Sequence, residues 1–245
     1  MSTRRNLVTA FLALACTMGI FAQSERVDAY FTTQDMPDLL RILPGPPAEN
    51  SVAFANDVAR YYWGKQMRND SLRAAIARRD AVYGIQTIIN EFSEPFGLNI
   101  SQSETPEIYI LLRDALATCD SICTLPKAIV GRKRPFMVFN EETLVPADEP
   151  FLRKNGSWPS GHTILGWSAA LLLSEINPER ADTLMSRGLM YGESRVIVGA
   201  HWQSDVDAGR LAASMAYAKL HTNERFLMQM ARARREFATK RAISR

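Results

Sequence analysis

Apolar positions recur at three- and four-residue spacing along most of the chain, and nowhere do they alternate for long with a period of two. Residues 51–69 show this first, where Val52, Phe54, Ala55, Val58, Ala59 and Tyr62 line one helical face. Residues 71–92 and 105–130 continue the helical pattern, with breaks expected near Pro95 and Pro106. Residues 163–176 are apolar on nearly every side, as a buried central helix requires. Asn177-Pro178 ends that helix and starts the next, since proline suits a first helical turn. No proline follows 178, so long helices run to the end. Two stretches stand apart. Leu43-Pro44-Gly45-Pro46-Pro47 reads as part of an extended arm over residues 23–50, and residues 136–155, with Pro146 and Pro150, read as loop. The pattern predicts an all-α, single-domain helical bundle over residues 51–245, without internal repeats.

The first 22 residues follow other rules. Arg4 and Arg5 precede an apolar run from Leu7 to Ala22, then Gln23, Ser24 and Glu25. A basic start, a short apolar middle and a small residue before polar chain describe a secretory signal peptide. The run is short of the about 20 residues a membrane span needs. A second reading takes Leu12-Ala13-Leu14-Ala15-Cys16 as a lipobox, which would make an outer-membrane lipoprotein. Removing residues 1–22 lowers the net charge from +3 to +1, because Arg4 and Arg5 leave and no acid does. Neither value marks a nucleic-acid binder. The cysteines left, Cys119 and Cys123, are read as free and buried, since an i,i+4 helical pair has poor disulfide geometry.

Three cysteines and three histidines leave little for a multi-ligand metal site. The chemistry must come from few residues. Pro159-Ser160-Gly161-His162 opens the apolar helix, with Ser160 a natural N-cap and Gly161 allowing close approach to free N–H groups. His201 is followed by Asp205 at one-turn spacing, which would let the carboxylate hold one ring nitrogen and free the other. Lys127 and Arg134, seven apart, are expected on one helical face. His221 reads as a surface or helix-capping residue, and Trp158 and Trp202 as pocket wall or core. The tail from 224 to 245 holds seven basic and two acidic residues, a solvated helix face.

In order and without substitution, these segments fit K-x6-R-P, then P-S-G-H, then S-R-x5-H-x3-D, with 23 residues from Pro135 to Pro159 and 31 from His162 to Ser194. The set resembles the signature of the type 2 phosphatidic acid phosphatase and vanadium haloperoxidase superfamily. Lys154 to Thr163, His201 to Ala208 and the Met36-Pro37-Asp38 arm look like the bacterial class A nonspecific acid phosphatases.

That resemblance implies an exported, periplasmic, metal- and cofactor-independent acid phosphatase acting on small phosphomonoesters such as nucleotides, sugar phosphates and aryl phosphates. It implies His201 as nucleophile forming a phosphohistidine, Asp205 as its orienting carboxylate and His162 as general acid. Lys127, Arg134, Ser160, Gly161 and Arg195 would bind the phosphate oxygens. Inhibition by vanadate, phosphotransfer to alcohols and a homo-oligomer are further expectations. A vanadate-dependent oxidase shares the pocket but has longer chains. A membrane lipid phosphatase needs several spans, and a phosphate-binding protein has no use for paired histidines.

Overall fold

The computed structural model describes residues 27–243, so the signal segment 1–22 and Cys16 lie outside the described residues. Every regular element described is helical. The chain runs through α1 (Leu39–Ile42), α2 (Val52–Met67), α3 (Ser71–Ala81), α4 (Ile85–Phe96), α5 (Pro106–Ser121) and α6 (Thr124–Val130). It continues through α7 (Pro135–Phe139), α8 (Glu149–Leu152), α9 (Gly161–Ile176), α10 (Ala181–Val198), α11 (Gln203–Leu220) and α12 (Glu224–Ile243).

Helix α9 is the hub. Twelve of its 16 residues are buried, and it packs against α4, α5, α10, α11 and α12. A helix apolar all round can sit only at the centre of a bundle. Around it close Phe92 and Phe96 of α4, Leu111, Leu112 and Leu116 of α5, and Phe226 of α12, all fully buried. Each such side chain contributes roughly 1.5–3 kcal/mol on leaving water. Side-chain caps start α1, α2, α3 and α9: Asp38 accepts from the Leu40 N–H, Ser51 from Phe54, Asp70 from Leu72 and Arg73, and Ser160 from Thr163.

The breaks expected from sequence are partly displaced. Pro106 begins α5, as a first-turn proline can, but Pro95 sits inside the last turn of α4, where it forgoes one i→i−4 bond and the helix ends at the next residue. The continuous helix expected over 71–92 stops at Ala81 and resumes at Ile85. Residues 136–155 are less loop-like than their prolines suggest, since they hold most of α7, a 3-10 turn at Pro146–Asp148 and α8. These pieces are too short to carry a periodicity. The described part of the arm holds a 3-10 turn at Thr33–Asp35 and α1, while residues 43–47 run without helix. It is tied to the body by Tyr30, whose N–H donates to Thr118 Oγ1 at 3.1 Å and whose ring meets Phe226 edge-on at 5.4 Å.

Helix α12 carries the basic tail. Its Phe226, Met230, Ala233 and Phe237 turn inward, and Arg234 and Arg241 pair with Glu175 and Glu179 of the body. His221 caps α11: its ring nitrogens contact the Tyr217 carbonyl at 2.8 Å and Glu175 at 3.0 Å. Trp158 and Trp202 are 1% exposed and belong to the packing rather than the cavity wall. Cys119 and Cys123 are free and buried. Among the described residues, no helix is long and apolar enough to cross a membrane.

Candidate active site

The N-terminus of α9, the C-terminus of α10 and the α6–α7 turn meet at one cavity of about 790 Å³. Lys127, Arg134, Gly161, His162, Arg195 and His201 all line it. Ser160 and Asp205 do not; both are fully buried behind the wall.

Lys127 and Arg134 arrive there by a route the sequence reading had wrong. They do not share a helical face, because α6 ends at Val130, capped by Gly131, and Arg134 is the residue before α7. Gly131 (φ +57°) and Gly199 (φ +84°) adopt the left-handed conformation that glycine tolerates best. The first reverses the chain between Lys127 and Arg134; the second turns it from Arg195, on α10, to His201.

His201 likewise lies before α11, not on a helix shared with Asp205. Its Nδ1 is 3.5 Å from Asp205 Oδ2, too long for a good hydrogen bond. Ser157 fills the gap. Its Oγ lies 3.3 Å from His201 Nδ1 and donates to Asp205 Oδ2 at 2.5 Å. On the other side, Arg134 Nη1 donates to His201 Nε2 at 3.0 Å. A guanidinium can only donate, so Nε2 presents its lone pair and the proton sits on Nδ1. The chain His201–Ser157–Asp205 thus fixes the tautomer. Asp205 is itself anchored, accepting from the Trp202 N–H at 2.9 Å and from Arg132 at 2.5 Å. Arg132 also pairs with Asp57 at 2.8 Å.

His162 is held by the helix break between α3 and α4. Ala81 ends α3 with a carbonyl that has no partner within the helix, and it accepts from His162 Nε2 at 3.0 Å. The Tyr83 ring meets the imidazole at 4.8 Å, edge to face. Ser160 Oγ accepts from Thr163 N–H at 3.3 Å and from Thr163 Oγ1 at 2.9 Å, so its own O–H is still free to donate.

Three cations crowd this space. Lys127 donates to the Gly156 carbonyl at 2.9 Å. Arg134 reaches the carbonyls of Leu152, Asn155, Ala200 and Gly156. Arg195 differs, because it is fully buried and its Nε and Nη1 find no partner. Behind it, Asp80 holds Arg187 and Ser194, with Arg73 also donating to Ser194, so α3 and α10 are locked together. Burial, then repulsion from its neighbours, lowers Lys127 to about 8. Burial first and the cations second also pull His162 and His201 well below the usual imidazole value. A buried, unpaired guanidinium beside two further cations is a site that wants an anion with several oxygens. Among the described residues no cluster of three His, Cys, Asp or Glu could hold a metal ion.

The PAP2 superfamily pattern matches residues 109–226, the span that contains every residue named above in the cavity except the α3 turn. Similar proteins cover nearly the whole chain. A non-specific acid phosphatase of Providencia stuartii is 44% identical over 85% of this chain and 84% of its own length. One from Salmonella typhimurium is 39% identical over 90% and 88%. An acid phosphatase of Zymomonas mobilis is 34% identical over 94% and 87%. The chain belongs to the PAP2 superfamily. Its likeness to the non-specific acid phosphatases makes it an enzyme of the phosphatase class, and the bundle read from sequence is the helical fold of that family. Ser157, Asp57 and the use of Arg132 were missed by the sequence reading. Ser157 stands two residues from Pro159 in the motif, which was the one available hint.

Proposed function

We propose that this PAP2 enzyme hydrolyses small phosphate monoesters through a phosphohistidine on His201, without a metal. The observation that carries this reading is Arg195, a buried guanidinium with two unpartnered nitrogens on the wall that also holds the lone pair of His201 Nε2. Phosphoryl transfer places its charge on three equatorial oxygens, so fixed cations and N–H groups supply most of the catalysis. Lys127, Arg134, Arg195 and the Gly161 amide are the donors for them, with Ser160 directly behind holding the start of α9 through Thr163.

His201 Nε2 attacks phosphorus, the P–N bond forms and the P–O ester bond breaks. The Nδ1 proton stays, and Ser157 with Asp205 stabilises the positive ring. Because Ala81 holds His162 Nε2–H, the proton passed to the leaving oxygen is the one on Nδ1. His162 then takes a proton from the water that attacks the phosphohistidine, releasing orthophosphate and free His201. An alcohol in place of water would give phosphotransfer. The apolar run of residues 7–22 supports export to the periplasm, tested by where the full-length chain is found on cell fractionation. A homo-oligomer, tested by the mass of the purified chain in solution, rests on family likeness.

Two assays test the reading. Hydrolysis of p-nitrophenyl phosphate is expected to change less than about twofold in millimolar EDTA, since the cations take the place a metal would have. Loss of activity restored by a divalent ion would overturn metal independence. The pH profile follows from the lowered imidazoles. His201 must be neutral, and a pKa below about 6.5 keeps it so well into the acid range. His162 must be protonated, so kcat/KM should peak below pH 6.5 and fall about tenfold per unit above it. The fall should steepen above about pH 8, where Lys127 loses its charge. A plateau extending to pH 9 would exclude His162 as the acid.

A further inference from the structure

The groups that take the phosphate form the floor of the cavity. Lys127, Arg134, His162, Arg195 and His201 are each 8% exposed or less. Whatever else an ester carries must therefore extend towards the open side. The cavity, at about 790 Å³, lies in the ~300–1,000 Å³ range of pockets that take a drug-sized ligand, well beyond one phosphate. Two large apolar side chains that line it are exposed: Phe151 of α8 at 68% and Tyr83 of the α3–α4 turn at 55%. Tyr83 is committed, because its hydroxyl donates to Asp120 and its ring meets His162. Phe151 is not. It belongs to neither apolar core among the described residues.

An exposed phenylalanine on a loose loop would mean little, but α8 is fastened. Leu152 is buried with Phe136, Val198 and Ala200, and its carbonyl accepts from Arg134 Nε at 2.9 Å. Glu149 accepts from the Thr143 N–H at 2.8 Å and from Arg153 at 2.8 Å. The backbone that carries the Phe151 ring is thus fixed one residue from a contact of the phosphate-binding Arg134. Charges along the cavity wall outside that floor come in both signs, Lys133 and Lys154 against Asp120 and Asp148, so they select weakly between esters. We propose that Phe151 is a specificity-determining residue, a platform on which an aromatic ring in the alcohol portion of the ester stacks. The proposal rests on the hydrolytic reading above and names what that site prefers: phosphates of aryl-bearing alcohols or nucleosides over aliphatic esters of equal reactivity. A ring laid on Phe151 removes two apolar faces from water and adds the attraction of offset π-systems, with the backbone beneath already ordered.

The test compares kcat/KM within two pairs of esters whose leaving alcohols differ little in reactivity. Adenosine 5′-monophosphate is set against ribose 5-phosphate, and benzyl phosphate against cyclohexylmethyl phosphate. Ratios taken within one protein cancel any change in its active fraction. Wild type should prefer the aromatic member, and Phe151→Ala should cut that preference about tenfold in at least one pair. Phe151→Tyr, which keeps the ring, should stay within about threefold of wild type. A loss in the first pair places the stacked ring at nucleobase distance from phosphorus, and a loss in the second places it one carbon from the ester oxygen. Preferences of Phe151→Ala within twofold of wild type in both pairs, or an equal loss in Phe151→Tyr, overturn the platform. Calorimetry on the His201→Ala background reads the same ratios as affinities. If wild type hydrolyses none of the four esters, the hydrolytic reading fails, and those affinities alone decide the platform.

Discussion

Replacing His201 by alanine is expected to lower kcat/KM for p-nitrophenyl phosphate on the order of 10⁵-fold, while orthophosphate still binds within about tenfold of wild type. The two halves have different physical origins. Binding depends on the cations and amides, and of these only Arg134 touches His201, keeping four carbonyl partners without it. Turnover depends on the lone pair at Nε2, for which no other described side chain in the cavity is a substitute at the same place. His162 is turned to the Ala81 carbonyl, and the Cys123 thiol is held protonated, pushed up to about 11 by burial. Rapid quenching of wild type with labelled substrate should capture a protein-bound phosphate that survives base and is lost in acid, as a P–N bond is. More than one per cent residual activity in the variant, or an adduct stable to acid, would remove His201 as nucleophile.

The parts of this site that could be read from sequence are those whose contacts are local. The Ser160 cap, the buried α9 and the Asn177-Pro178 break each depend on neighbours within a turn or two, and they stand where the pattern put them. Spacing failed where it assumed a continuous helix. Seven residues from Lys127 to Arg134 look like two turns, but Gly131 stops α6 between them. Four residues from His201 to Asp205 look like one turn, but α11 begins only at Gln203. In both cases the residues still converge, because the turns that replace the helix are fastened elsewhere: Arg132 to Asp57 and Asp205, Ser157 to Asp205, His162 to Ala81. These bonds join residues 48 to 81 positions apart. No periodicity reports them, and the family likeness gave a role to Asp205 but none to Ser157, Asp57 or Arg132.

Arg195→Met should separate function from stability. The variant is expected to lose about 10³-fold in kcat/KM, the scale for removing one fixed donor to a phosphoryl transition state. It is also expected to melt higher than wild type in phosphate-free buffer. Arg195 is fully buried, with Nε and Nη1 unpartnered, and burial drags its pKa down to about 10 although Tyr191, Asp148 and Asp80 pull the other way, the mark of a cation whose desolvation is only partly offset. Methionine has similar bulk and no charge. Replacing a partly compensated buried ion by an apolar side chain stabilises by about 1 kcal/mol or more, roughly 2–4 °C in Tm for a chain of this size. Phosphate should reverse the order. At a hundred times its Kd it stabilises wild type by about 2.7 kcal/mol, and the variant, which has lost the guanidinium, gains little at the same concentration. Melting curves of both proteins with and without orthophosphate make the comparison. A variant less stable than wild type without phosphate would mean that Arg195 is held by the protein itself. The unsatisfied guanidinium would then cease to be the reason for expecting an anion.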